Sequence, residues 1–116
     1  MTPYLKRMIR EQTAAIEDIK TVIQKKGIQN CFSDQERARF FNGKHFSRIA
    51  ARYLAKQLIL EELPHLQDIR KIEILNDPYG KPVVTFMGRP LEKVLVSLSH
   101  SRKFARALVI FNNFEE

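Results

Sequence analysis

The feature that most limits what this chain can fold into is a change of hydrophobic period near Leu63-Pro64. Before that point apolar residues recur three and four apart, and after it they alternate. The first spacing suits helices with one buried face, and the second suits half-buried strands. Residues 2–26 read as one helix, with Thr2 as cap, Pro3 in the first turn and Gly27 as the stop. Leu5, Met8, Ile9, Ile16, Ile19 and Ile23 carry its period. Ser33-Asp34-Gln35-Glu36 is a capping-box pattern that opens a short helix to about Phe41, ended by Asn42-Gly43. A third helix is expected over 44–63, stopped by Pro64. Residues 70–75 then alternate, Asn76-Asp77-Pro78-Tyr79-Gly80 supplies turn chemistry, and 82–86 complete a hairpin. Met87-Gly88-Arg89-Pro90 reads as a loop, followed by strands over 94–98 and 104–111. Helices first and strands after predict an α+β fold, N-terminal helices packed on a C-terminal antiparallel sheet.

The chain has 116 residues, which suits one domain over 1–116 with a core of its own. Twenty basic residues against thirteen acidic ones leave a charge of +7. That excess favours an anionic partner: nucleic acid, an acidic protein, a phosphorylated small molecule or a membrane surface. No stretch approaches the roughly 18 apolar residues of a membrane helix, and residues 1–10 lack the apolar run of a secretory signal. Cys31 is the only cysteine, which excludes an intrachain disulfide and reads as a small buried hydrophobe. A cytoplasmic protein with no membrane partner is the expectation.

Three stretches carry candidate chemistry. Ser97-Leu98-Ser99-His100-Ser101 places serines beside a histidine, but no Gly-x-Ser-x-Gly elbow accompanies them. It reads as a polar turn, or as a phosphate-binding one with Arg102 and Lys103 nearby. Arg52 and Lys56 stand four apart on one helix face, either solvated or offered to an anion. Gln57 falls along the apolar side of that helix, where a half-buried amide needs a partner. Asp77-Pro78-Tyr79-Gly80-Lys81-Pro82 is, alone, a tight turn with a lysine.

Taken in order, these pieces resemble the holo-acyl-carrier-protein synthase family, the small 4'-phosphopantetheinyl transferases. The resemblance runs over about residues 31–111: Phe32-Ser33-Asp34-Gln35-Glu36, Arg52-Tyr53-Leu54-Ala55-Lys56-Gln57, Ile72-Glu73-Ile74, Gly80-Lys81-Pro82, Ser97-Leu98-Ser99-His100, and Phe104-Ala105 with Ala107. It implies transfer of the phosphopantetheine arm of coenzyme A to a serine of an acyl carrier protein, for fatty acid or polyketide synthesis. It implies magnesium, and trimers with sites between subunits. On it, Arg52, Lys56, Gly80, Lys81, Pro82, Ser99 and His100 are the coenzyme-binding candidates. Gln57 and His100 are the catalytic ones.

The family's two metal carboxylates have no match. Ala15 stands at the first position and Gln57 at the second, and Glu61 takes the place of a downstream lysine. Magnesium is usually held by one or two carboxylates with phosphates and waters. No metal ligand is therefore assigned. Two readings follow: a divergent transferase, alone or as part of a heteromeric site, and an inactive member that binds coenzyme A or an acyl carrier protein. A basic nucleic-acid-binding domain is the remote alternative, lacking any recognition motif of that class.

Overall fold

The computed structural model describes residues 7–41 and 46–112. It opens with a strand, β1 (Arg7–Ala15), followed by α1 (Ile16–Lys26), α2 (Ile28–Cys31), α3 (Asp34–Phe40) and α4 (Phe46–Glu62). Two 3-10 turns, Pro64–Leu66 and Ile69–Lys71, lead to β2 (Ile72–Asn76) and β3 (Pro82–Phe86). The short β4 (Arg89–Pro90), then β5 (Val94–His100) and β6 (Phe104–Asn112), complete the order. The fold is α+β, as the sequence predicts.

The helix expected over 2–26 is corrected: 7–15 are strand, and only the second half is helical. Residues 2–6, with the cap and proline assigned to that helix, lie outside the described residues. Tertiary pairing decides the matter. Every residue of β1 is in register with one of β6, from Arg7 opposite Asn112 to Ala15 opposite Phe104. Local helical spacing is a weak signal beside a nine-residue ladder with an aliphatic strand. Helix begins where the ladder ends, and the Ile16 amide donates to the Lys103 carbonyl at 2.8 Å. Gly27 does end α1, at φ +86°, its amide donating to Ile23.

Two antiparallel sheets result, in the orders β1-β6-β5 and β2-β3-β4. The predicted loop at 87–90 is also corrected. Met87 and Gly88 both have positive φ, +50° and +81°. Such a two-residue turn matches strand twist and returns the chain as β4 against β3. The breaker Asn42-Gly43 and the predicted start of the third helix at Lys44 lie outside the described residues.

The core lies between α4 and the larger sheet. Ala105, Ala107, Val109 and Phe111 alternate along β6 and are fully buried. They face α4, which brings Ile49, Ala50, Leu54, Ala55 and Leu58. Small residues on both partners let the helix axis approach the strand closely. Ile72 and Ile74 of β2 close the same core from the other side. Cys31 is buried in it, as expected. The opposite face of β1-β6-β5 stays open. Ile9, Leu95 and Phe104 stand on it, 57%, 42% and 50% exposed, around an Arg106–Glu11 ion pair of 2.8 Å.

Candidate functional site

Where α4, the β2–β3 hairpin and β5 meet, an open cleft of about 400 Å³ forms. Arg48, Ala51 and Arg52 come from α4, Asn76, Gly80 and Pro82 from the hairpin, and Val96 to Leu98 and His100 from β5. Arg48 and Arg52 reach it together because four residues make about one helical turn. No carboxylate is among these lining residues.

Arg52 is almost wholly buried, so the solvated-face reading of the helix does not hold there. Its Nε donates to the Ile74 carbonyl (3.2 Å), Nη2 to Asn76 Oδ1 (2.9 Å) and Nη1 to the Arg48 carbonyl (3.4 Å). Its guanidinium lies 3.6 Å from the Phe40 ring centroid, a cation–π contact. Burial lowers its pKa to about 10; Glu36 pulls it up and Arg48 pushes it down. The group therefore stays charged at neutral pH, held in a fixed direction.

Gly80 closes the hairpin turn at φ +85°, a conformation that strains any residue with a Cβ. Asp77 Oδ1 accepts from the Tyr79 and Lys81 amides, each at 2.9 Å. His100 ends β5 on the face it shares with Val96 and Leu98, and its side chain is exposed.

Thus Arg52, Gly80, Pro82 and His100 of the predicted set share one cleft. The others do not line it. Lys81 is exposed beside Gly80 and Pro82. Ser99 is exposed near the end of β5 and does not line the cleft; it is strand, not turn. Gln57 is half-buried further along α4.

Lys56 is the largest departure. Rather than offering its ammonium to solvent, it is fully buried, with Nζ 2.6 Å from Glu36 Oε1 and 2.5 Å from the Cys31 carbonyl. The Phe32 ring centroid lies 4.5 Å away. Glu36 also accepts from the Ser33 and Ile74 amides, each at 3.0 Å. Its carboxyl is pushed up by burial and drawn back down by Lys56. Burial pushes the Lys56 ammonium down, and Glu36 opposes it. The pair fixes α3, α4 and β2 to one another and leaves Lys56 no reach into the cleft.

Sequence reasoning missed Arg48 and Asn76. Arg48 was findable, since it precedes Arg52 by four. Asn76 was not, because its bond to Arg52 spans 24 residues.

The residues present do not fit a divalent cation. At the end of β1 Ala15 offers a methyl group, and Gln57 offers an uncharged amide. Glu61 and Glu62, about a turn beyond Gln57, are both paired with Arg10 of β1. Among the described residues no group of three or more His, Cys, Asp or Glu side chains is placed to hold a metal ion.

The fold is that of solved holo-acyl-carrier-protein synthases. Chronobacterium ammoniagenes apo-ACPS superimposes with a TM-score of 0.77 at 19% identity, covering 97% of this chain and 100% of that one. A Bacillus anthracis holo-(acyl-carrier-protein) synthase in complex with CoA (3',5'-ADP) gives 0.71 at 23%, covering 90% and 95%. Sequence relatives carry the assignment further. A holo-[acyl-carrier-protein] synthase of Clostridium tetani is 36% identical over 107 residues, covering 79% of this chain and 84% of that protein. One from Fusobacterium nucleatum is 31% identical over 110 residues, covering 82% and 89%. The chain belongs to the holo-[acyl-carrier-protein] synthase family. The match to the Dehalococcoides mccartyi member, 39% identical over 72 residues, covers 53% of this chain and 60% of that protein's length. No protein-family model matches the chain.

Proposed function

We propose that this chain is a divergent 4'-phosphopantetheinyl transferase, taking the phosphopantetheine arm of coenzyme A to a serine of an acyl carrier protein. The observation that carries this reading is the cleft of Arg48, Arg52 and His100, free of carboxylates and set in the family's fold. In the transfer, a bond forms between the serine oxygen and the phosphorus next to the pantetheine. The bond from that phosphorus to 3',5'-ADP breaks, and the serine proton passes to solvent. Negative charge grows on the departing phosphate. Fixed guanidinium groups aimed at such a charge need little reorganisation as it develops. Arg52 is held in this way by its three bonds. The Gly80 turn admits the ligand close to the backbone, Lys81 adds charge at the mouth, and His100 closes the far wall. No step is assigned to Lys56, Ser99 or Gln57.

The charge of +7 suits both the polyanionic coenzyme and an acidic carrier protein. The open apolar face of β1-β6-β5 suits further copies of the chain in a trimer. A lone buried cysteine is in keeping with the cytoplasm.

A second reading, favoured by Ala15 and Gln57, is a coenzyme-binding member without transfer of its own. The test is incubation with coenzyme A, magnesium and a panel of apo carrier proteins, read by intact mass. A phosphopantetheine adduct on a carrier supports transfer. Coenzyme binding without an adduct supports the second reading, and the absence of both adduct and binding overturns the two together.

A further inference from the structure

We infer that the cleft holds the phosphates of its ligand without a divalent cation, with arginine in the cation's place. This rests on the coenzyme reading of the cleft and deepens it.

The lining is one-sided. Arg48 and Arg52 face the same space, and no acid balances them there. Like charges one helical turn apart repel, and that repulsion contributes to the lowered pKa of Arg52. Glu36 is the acid that acts on Arg52, but its carboxylate is committed to Lys56 and two backbone amides. A phosphate in the cleft relieves the repulsion and finds two guanidinium groups, the Asn76 amide and His100 around it. Guanidinium matches phosphate in shape as well as charge, and its hydrogen bonds to an anion are stronger than neutral ones.

A metal site has no comparable support. Two carboxylates in place of Ala15 and Gln57 would balance a dication, whereas the methyl and amide present leave its charge unmet. The acids that remain have other duties: Glu61 and Glu62 pair with Arg10, Glu11 with Arg106, and Glu36 with Lys56. Glu17 and Asp18, nearest in sequence to Ala15, are exposed on the first turn of α1. A cation drawn to these positions gains little and disturbs ion pairs that join β1 to α4.

The test is calorimetric titration of coenzyme A into the full chain, once in EDTA and once in excess magnesium. Dissociation constants agreeing within about threefold are expected. Arg48→Gln, an exposed position, is expected to weaken binding about tenfold in both buffers, the scale of one charge-assisted hydrogen bond. The double variant Ala15→Asp with Gln57→Glu is expected to make binding respond to magnesium. A tenfold or greater gain with magnesium in the unaltered chain overturns the inference and leaves the coenzyme reading standing. Binding unaffected by Arg48→Gln also overturns it. No binding in either buffer overturns the inference and the coenzyme reading together.

Discussion

Lys56 shows how one side chain can keep its identity and change its employment. Sequence spacing placed it on a face with Arg52, and that much holds. What spacing does not reveal is that both are buried, because burial depends on Glu36, 20 residues from Lys56, and on Ile74, 22 residues from Arg52. A capping glutamate at position 36 was legible from Ser33. Its second bond, to a lysine on another helix, had no local signature. Removing one partner of a buried ion pair leaves the other charge uncompensated, which costs about 3–5 kcal/mol. Lys56→Met is therefore expected to lower stability on that scale in urea unfolding. Adding Glu36→Gln to it should restore part of the loss. Equal and additive losses would show that the two side chains do not act as a pair. Cys31 lies in the same neighbourhood, and burial raises its thiol pKa. Less of it is thiolate at any given pH, and thiolate is the reactive form. Iodoacetamide at pH 8 is expected to leave the folded protein unmodified and to alkylate it once denaturant is added.

Among the elements, the ones read correctly are those whose ends carry their own chemistry. The box at Ser33 starts α3, Gly27 stops α1, and the turn at 77–80 makes the β2–β3 hairpin. The strand misread as helix, β1, has no such punctuation. Arg7 to Ala15 contains two adjacent apolar residues, Met8 and Ile9, which fit a helical stripe on paper. In the strand they take opposite faces, and a partner 89 to 105 residues away decides between the two. The cleft was half legible for the same reason: Arg52, Gly80 and His100 stand in local motifs, while Asn76 enters through a distant bond. Ser33 does two things, capping α3 and donating to Glu73 Oε2 at 2.5 Å. Loss of an N-cap typically costs about 1 kcal/mol. With the bond to β2 removed as well, Ser33→Ala is expected to destabilise by ~1–2 kcal/mol in thermal unfolding. A loss near zero would mean that the cap is redundant.

At the scale of the whole molecule, the larger sheet has one face filled by α4 and one left open. Ile9, Leu95 and Phe104 on that open face account for the assembly proposed above. Leu95→Arg is expected to shift sedimentation toward the single-chain mass while circular dichroism stays unchanged. A mass unaffected by the charge would place the contact between copies elsewhere. The excess positive charge was visible from the start, but its concentration in a cleft was not, because two arginines become neighbours of a histidine only after the hairpin folds over the helix. The order β1-β6-β5 carries one more implication. A chain leaving the ribosome exposes its first strand long before the strand that pairs with it has been made. Until residues 104–112 emerge, β1 has no ladder, and α4 has no β6 on which to close. The helices must wait as a loose cluster through most of synthesis, so a stall before Phe104 should leave a nascent chain open to proteases and chaperones alike.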